Sequence, residues 1–463
     1  MLPSSTICAV STPSGQGGIA VIRISGDRAI AACNNLFIPV RKGISLTDPS
    51  VKNKIIFGNV VKANKVIDEV LVTVFRAPSS YTGEDTVEIS CHGSPFIQQE
   101  ILKLLLANGC RMATAGEFTQ RAFLNGKLDL SQAEAVGDLI ASSSAAAHRM
   151  AMQQMRGHYS SMFARLRDDL LHFATMMELE LDFSEEEVEF ADRRQLLSLA
   201  SHIEDVINRL SGSFATGNVI KNGIPVAIIG ETNAGKSTLL NRLLHEERAI
   251  VSDVHGTTRD AIEDTVVMGG VLFRFIDTAG IRNTADRLEL LGIERTFRKM
   301  EEAAVILWVI DLTGNGILPE AIYEKTHLSD TQQLILVLNK ADRLPPECLP
   351  EKQAMYQAGH HDVVVISAQS GAGMDKLEEK LIACIPATGE NDVIVSNLRH
   401  YEALTKASEA VRQVIRGLET GAPGDLIVQD VRECINQLGQ ITGQQIHTEE
   451  VLRNIFRNFC IGK

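Results

Sequence analysis

No apolar run in this 463-residue chain reaches the ~18 residues needed to cross a bilayer. The segment Met1 to Val10 lacks a basic stretch followed by an apolar one, so no secretory signal is expected. Cysteines are few and scattered. Cys8, Cys33, Cys91, Cys110, Cys348, Cys384, Cys434 and Cys460 form no C-x-x-C pair. That usage suits a reducing compartment where thiols stay free, and a cytoplasmic location with no membrane partner is expected. Positive charge is also scarce, with 45 Lys and Arg against 58 acidic residues, a net charge of −13. This balance argues against a general nucleic-acid binder, because phosphate contacts need local positive charge. There is no internal repeat and no low-complexity tract. Core material is plentiful: 44% of residues are hydrophobic and 22% charged, the balance of an ordinary globular protein. The length suggests about three domains.

The chain changes character along its length. Gly18–Ile24, Lys54–Val61, Glu69–Phe75 and Thr86–Ser90 alternate or are β-branched, as strands should be. Phe96–Ala107 reads as an amphipathic helix. From Ser131 to Leu210 strand-like runs vanish and apolar residues recur at three and four. Leu166, Leu170, Phe173, Met177 and Leu181 form one such stripe. The acidic run Glu178 to Asp192 reads as a solvated helix end or loop. Ser211–Gly223 is rich in Gly, Ser, Thr and Asn and reads as a hinge. Strands and helices then alternate to about Ile385, Pro386–Asn391 is a second break, and Leu398–Phe459 returns to helical spacing. Two helical segments therefore flank an α/β module, as if that module were inserted into a helical domain. The expected division is 1–127, 128–217, 218–386 and 387–463.

The α/β module carries the chemistry. The buried-strand run Pro225–Ile229 leads into Gly230-Glu231-Thr232-Asn233-Ala234-Gly235-Lys236-Ser237, and a helical pattern follows at Thr238–Leu244. Strand, glycine loop and helix together make a phosphate-binding loop. The glycines let backbone N–H groups turn inward, and the helix N-terminus adds its positive end. Lys236 would reach the β- and γ-phosphates, and the Ser237 hydroxyl would hold Mg²⁺. Phe273–Ile276 runs into Asp277-Thr278-Ala279-Gly280, where an aspartate can serve the Mg²⁺ shell and a glycine N–H the γ-phosphate. Leu334–Leu338 runs into Asn339-Lys340-Ala341-Asp342. A carboxylate there accepts both N1–H and N2–H₂ of guanine, which adenine cannot offer. Val363–Ile366 runs into Ser367-Ala368, whose backbone would meet the guanine O6. Four motifs stand in order at predicted strand ends, where open α/β sheets bind ligands. The expectation is GTP binding and hydrolysis by a mostly parallel, doubly wound sheet.

The manner of hydrolysis is also visible. Small signalling GTPases place a water-orienting glutamine just after the D-x-x-G glycine. Here that residue is Ile281, which cannot hold a water by hydrogen bonding. Glu289, 12 positions after Asp277, is one replacement; Asp286 and Glu294 are its rivals. Thr258, within Ser252–Asp260, is the expected switch threonine and a second Mg²⁺ ligand. Arg259 is either an arginine finger or a surface arginine.

Taken together, Gly230–Ser237 with Asn233, Gly256–Asp260 (GTTRD), Asp277–Gly280 with Ile281, Asn339–Asp342 and Cys460-Ile461-Gly462-Lys463 resemble the tRNA modification GTPase family MnmE, also called TrmE. The resemblance covers essentially the whole chain, including Tyr81–Glu88, Gly116–Phe118 and Arg121–Leu130. One departure is Thr232, where the family usually has proline. The resemblance implies an N-terminal α+β folate-binding and dimerising domain, a helical domain ending in the CIGK motif, and an inserted Ras-like G domain. It also implies a homodimer that joins the FAD-dependent MnmG in a heterotetramer. That complex adds an aminomethyl or carboxymethylaminomethyl group to C5 of the wobble uridine (U34) of certain tRNAs, with a reduced folate (5-formyl- or methylene-tetrahydrofolate) supplying one carbon. The implied GTP-binding residues begin with Asn233, Ala234, Gly235, Lys236, Ser237 and Thr238. They continue with Ser252, Asp253, Val254, His255, Gly256, Thr257, Thr258, Asp277, Thr278, Ala279 and Gly280. The base side is Asn339, Lys340, Ala341, Asp342, Ser367, Ala368 and Gln369.

The family's K⁺ ligands fall on Asn233 and on backbone oxygens of Ser252, Val254 and Thr257; oxygen-only ligation suits a hard cation that can neutralise phosphate charge. Its catalytic glutamate falls on Glu289. Its folate residues fall on Arg23, Glu88, Lys127 and Lys463. A carboxylate can take two hydrogen bonds from a pterin, and cations suit the folate carboxylates. By residue type alone, Arg23 and Glu88 would be ordinary strand surface. Cys460 is either a small core residue or, with Lys463 close in sequence, a cysteine serving the folate and tRNA chemistry. A prenylation signal is excluded by Gly462 and Lys463. The rival class is a regulatory GTPase of ribosome assembly. Such proteins usually append a small basic RNA-binding module, which this acidic chain lacks.

Overall fold

A computed structural model describes residues 5–182, 193–246, 264–276, 300–314, 328–329, 332–357, 362–385, 389, 392–444, 452, 455–457, 459 and 462. They form two compact units. The first draws on Met1–Ile140, Gln153–Ile203 and Lys406–Lys463, the second on Ala141–Met152 and Glu204–Thr405. No described helix is long and apolar enough to cross a membrane.

The first unit is built on a seven-stranded sheet. Its strands are β1 (Ile7–Val10), β2 (Gly17–Ser25), β3 (Phe37–Pro39), β4 (Ile55–Lys62), β5 (Lys65–Phe75), β6 (Thr86–Gly93) and β7 (Arg111–Met112), in the order β3-β4-β5-β6-β2-β1-β7. All pairs are antiparallel except β1 with β7. Period-two patterning decides which face is buried. Ala20, Ile22 and Ile24 of β2, Val70, Val72 and Val74 of β5, and Val87, Ile89 and Cys91 of β6 point into one core. Helix Pro95–Ala107 covers that face through Ile101 and Leu105, with helix Ala29–Asn34 beside it. Alternate residues of the same strands therefore stand on the other face, Arg23 and Glu88 among them, directly paired across β2 and β6. All four strands expected from patterning are present; three are longer by two to four residues, and the expected Lys54–Val61 is shifted by one to Ile55–Lys62.

The helical stretch of this unit follows the predicted stripe. Leu166, Leu170, Phe173 and Met177 are buried along helix His158–Asp182, against which helix Gly424–Thr442 packs. The latter presents Val428, Val431, Ile435 and Leu438 at the same three-four spacing. Leu181 and most of the Glu178–Asp192 run lie outside the residues whose side chains are described.

The second unit holds a six-stranded sheet: β8 (Ile224–Gly230), β9 (Asp264–Met268), β10 (Val271–Phe275), β11 (Val305–Asp311), β12 (Gln333–Asn339) and β13 (Asp362–Val365). The order is β13-β12-β11-β8-β10-β9, parallel throughout except for the β9–β10 hairpin. Both faces are covered at its centre, so β8, β11 and β12 are continuous apolar runs, whereas the β9–β10 hairpin alternates. Val226 and Ile228 enter one core with Leu239 and Leu240 of helix Lys236–Glu246. Ala227 and Ile229 enter the opposite core with Trp308 and Leu336. Phe273 and Phe275 are fully buried, and each contributes roughly 2–3 kcal/mol relative to exposure.

One expectation is overturned. Ser211–Gly223 is not a hinge: helix Phe214–Asn222 occupies it. Its small polar residues mislead, because tertiary contacts outside the segment order it. Phe214 stacks on Tyr401 with ring centroids 4.6 Å apart, Ser213 Oγ accepts from the Val395 N–H at 2.9 Å, and Ile220 is buried.

Candidate nucleotide site and a second polar cluster

β8 ends at Gly230, where the chain leaves the sheet, turns, and enters helix Lys236–Glu246. Inside this loop Asn233 has φ +64°, in the left-handed region that a short amide side chain tolerates. Lys236 Nζ folds back on the loop, donating to the carbonyls of Gly230 at 2.7 Å and Glu231 at 2.6 Å. Its charge therefore sits at the mouth of a ring of backbone groups.

Asn339, 98% buried at the end of β12, ties the loop to the opposite wall. Its Nδ2 donates to the Ala234 carbonyl at 2.8 Å, and its Oδ1 accepts from the Ala368 N–H at 2.9 Å. A Cβ on Gly235 would lie 2.2 Å from that Nδ2, so the glycine is required by close approach. Lys340 also has a positive φ, +65°, and its Nζ pairs with Asp311 at 2.5 Å. Burial raises the Asp311 pKa, but hydrogen bonds from Lys340, Thr313 Oγ1 and the Thr313 N–H outweigh it and hold the carboxyl below its usual range.

These walls enclose a cleft of about 490 Å³. Asn233, Gly235, Lys236, Ser237, Thr238, Asn339, Lys340, Asp342, Ala368 and Gln369 line it. Ala234, Ala341 and Ser367 stand behind the wall. Ala234 and Ser367 are buried, and the Ala341 N–H is bonded to the Ile366 carbonyl. Thr232 and Arg343 also line the cleft, and Asp311 supports it. Each of the three stands within or beside a conspicuous motif or strand end, which was the available signal. Chemically, one end of the cleft offers a lysine, a serine hydroxyl and a helix N-terminus to phosphate and its cation. The other end offers a carboxylate to a base edge. Ser252, Asp253, Val254, His255, Gly256, Thr257, Thr258, Arg259, Asp277, Thr278, Ala279, Gly280, Ile281, Asp286, Glu289 and Glu294 lie outside the described residues.

Comparison with known proteins decides the family. Residues 6–127 match the family described as GTP-binding protein TrmE N-terminus, and residues 130–460 match the MnmE helical domain. The chain is 54% identical to the tRNA modification GTPase MnmE of Parabacteroides distasonis over 464 residues, covering 99% of this chain and 100% of the relative. The chain belongs to the MnmE family. The MnmE of Bacteroides fragilis is likewise 54% identical over 470 residues, with 99% of each chain covered. That of Flavobacterium johnsoniae is 52% identical over 469 residues and covers both chains completely.

The TrmE-matched segment holds the second cluster. Arg23 donates to Glu88 Oε1 through Nε at 2.9 Å and Nη2 at 2.8 Å. Its guanidinium also lies over the Tyr81 and Phe118 rings, 5.2 and 5.7 Å from their centroids. Burial pushes the Tyr81 phenol up, against a hydrogen bond with Thr119 and the charge of Arg23. Lys127 is exposed and does not join Arg23 and Glu88. Its Nζ donates to the Pro78 carbonyl at 3.1 Å, on the segment that also carries Tyr81. The same unit holds an ionic chain centred on the buried Arg121 and Glu117. Arg121 binds both oxygens of Glu84 at 3.1 and 2.9 Å and Glu117 at 3.0 Å, and Glu117 also pairs with Arg111 at 2.8 Å. Ser25 Oγ extends the chain to Glu84 at 2.7 Å. This network joins the Tyr81–Glu88, Gly116–Phe118 and Arg121–Leu130 motifs physically. Cys460 and Lys463 lie outside the described residues, as does any contact of theirs with the cluster.

Proposed function

We propose that this chain binds GTP and hydrolyses it, and that the hydrolysis serves tRNA modification. The observation that carries the reading is Asn339, which holds the phosphate loop and the Ala368 wall around a cleft lined by Asp342. The names of the full-length relatives support the same reading. Lys236 would leave the Gly230 and Glu231 carbonyls for the β- and γ-phosphates, and Asp342 would accept from guanine N1–H and N2–H₂. Ser237 and Thr258 are the proposed Mg²⁺ ligands. Asn233, with backbone oxygens of Ser252, Val254 and Thr257, is the proposed K⁺ site. The two cations would supply positive charge against the phosphates. Glu289 is the proposed catalytic carboxylate, because Ile281 cannot orient water.

The proposal extends to the flanking segments. Division at about 127, 217 and 386 would give a folate-binding and dimerising domain and a helical domain interrupted by the G domain. Reduced folate would be held by Arg23, Glu88, Lys127 and Lys463, with Cys460 nearby. A homodimer would join the FAD-bearing MnmG and modify C5 of the wobble uridine. The packing of Arg23 against Tyr81 and Phe118, with Glu88 beside them, favours a flat, hydrogen-bonding ligand such as a pterin.

Mass spectrometry of wobble uridines from a strain lacking this protein tests the reading. Unmodified uridines are expected, and normal modification overturns it. GTP turnover in K⁺ should exceed that in Na⁺ by at least about tenfold, roughly 1.4 kcal/mol in barrier; equal rates would remove the K⁺ site.

A further inference from the structure

Phe459 and Gly462 are the described members of the Phe459–Lys463 segment, and both are pinned within the first unit. Phe459 packs edge-on against Phe456, with centroids 5.1 Å apart. The Phe459 Cβ lies only 2.9 Å from the point where a side chain on Gly116 would begin. Gly116 opens helix Glu117–Leu124, and Phe118 on that helix carries the ring beneath Arg23.

Gly462 is the second anchor. It is buried, with φ +99°. Its carbonyl accepts from Ser11 Oγ at 3.0 Å. A Cβ there would lie 2.2 Å from the Val10 carbonyl oxygen and 3.0 Å from Ser11 Cα. Those neighbours are backbone at the end of β1 and cannot swing aside as a flexible side chain would. In the β1–β2 ladder Val10 faces Ile22 and Ala9 faces Arg23. One anchor thus meets the helix that supports the Arg23 guanidinium, and the other meets the strand that pairs with Arg23.

We propose that Gly462 is a positioning residue: a latch without a side chain that, together with Phe459, docks on the N-terminal part of the first unit beside the Arg23–Tyr81–Glu88 cluster. The ligand of that cluster rests on the folate reading; the docking does not. An L-residue at 462 meets two obstacles, the left-handed φ and the overlap with Val10. Asparagine tolerates a positive φ better than alanine, which eases the first, and it keeps the second.

The test uses the full chain with Gly462→Ala, Gly462→Asn and Ser11→Ala. Hydrogen exchange is followed in peptides covering Val10–Ser11 and Phe459–Lys463, and 5-formyltetrahydrofolate binding is followed by calorimetry. Gly462→Ala and Gly462→Asn should both lose protection at least tenfold and weaken folate at least tenfold. Ser11→Ala should lose a few-fold in each. GTP turnover and the thermal midpoint should stay at wild-type values. Wild-type protection in both Gly462 variants overturns the latch, and rescue by asparagine overturns its steric basis. Lost protection with unchanged folate affinity overturns the positioning role. Lost protection in the variants, with no folate bound by wild type either, sinks the folate reading and leaves the latch supported.

Discussion

Lys340 Nζ sits 2.5 Å from Asp311 Oδ2, which joins the guanine-side motif after β12 to the end of the neighbouring strand β11. Lys340 adopts a left-handed backbone at the start of the short helix Ala341–Arg343, and the ion pair fixes its long side chain. Asp311 is itself fixed by the Thr313 N–H and hydroxyl at 2.9 and 2.7 Å. Asp311→Asn keeps the shape and removes the charge. GTP and GDP should both bind about tenfold more weakly, a loss of ~1.4 kcal/mol, because the proposed reading puts the lysine at the base and not the γ-phosphate. Fluorescent-nucleotide titration checks this; a change confined to GTP would place the effect elsewhere.

Asp342 lines the cleft beside Asn339 and Lys340. In the proposed reading its carboxylate would accept from a ring N–H and an exocyclic amine of guanine. Asp342→Asn presents a donor in their place, which suits the second carbonyl of xanthine. Affinity should move from GTP to XTP by at least about a hundredfold in ratio, the scale of leaving buried polar groups mispaired. Competition binding measures it, and unchanged GTP preference would sink the assignment.

The features that local pattern encodes were readable in advance, and those made by distant pairing were not. The loop at Gly230–Ser237 announces itself because strand, glycines and helix are contiguous. That Gly235 must also clear the Asn339 amide, over a hundred residues away, is a tertiary fact. Asp311 looked like any strand end until Lys340 met it. Glu84, Glu117 and Arg121 lie inside segments marked only by resemblance and Arg111 lies outside them, and nothing in spacing predicts that these charges pair. Ser211–Gly223 misled for the complementary reason: its composition favours a loop, while Tyr401 and Val395 order it as a helix. Lys127 joins Arg23 and Glu88 by family position alone, while its exposed ammonium donates to the Pro78 carbonyl.

Arg23 is the hub of the second cluster, bonded to Glu88 and lying over two rings. Arg23→Ala removes all of these contacts, and Arg23→Lys keeps the charge while losing the flat fork. Both should weaken 5-formyltetrahydrofolate by at least tenfold in calorimetry, the alanine variant more. Intrinsic GTP turnover should not change. Wild-type folate affinity in Arg23→Ala would take the ligand away from this cluster.

Glu117 gives a prediction whose sign follows from its surroundings. Burial would raise its pKa, but hydrogen bonds from Arg111, the Thr114 N–H and Arg121 outweigh burial and bring it from 4.5 to about 2. A carboxyl depressed on folding contributes stability that is fully present above about 4.5 and lost as pH falls toward 2. Glu117→Gln leaves Arg111 and Arg121 without their shared anion, a loss of about 3 kcal/mol at neutral pH by the scale of broken buried pairs. Urea unfolding of both proteins at a series of pH values measures the gap. It should be constant from pH 7 to about 5, narrow below 4.5 and close near 2. A gap that stayed constant through this acid range would show that the carboxylate charge, as distinct from the shape of the side chain, contributes nothing to the fold.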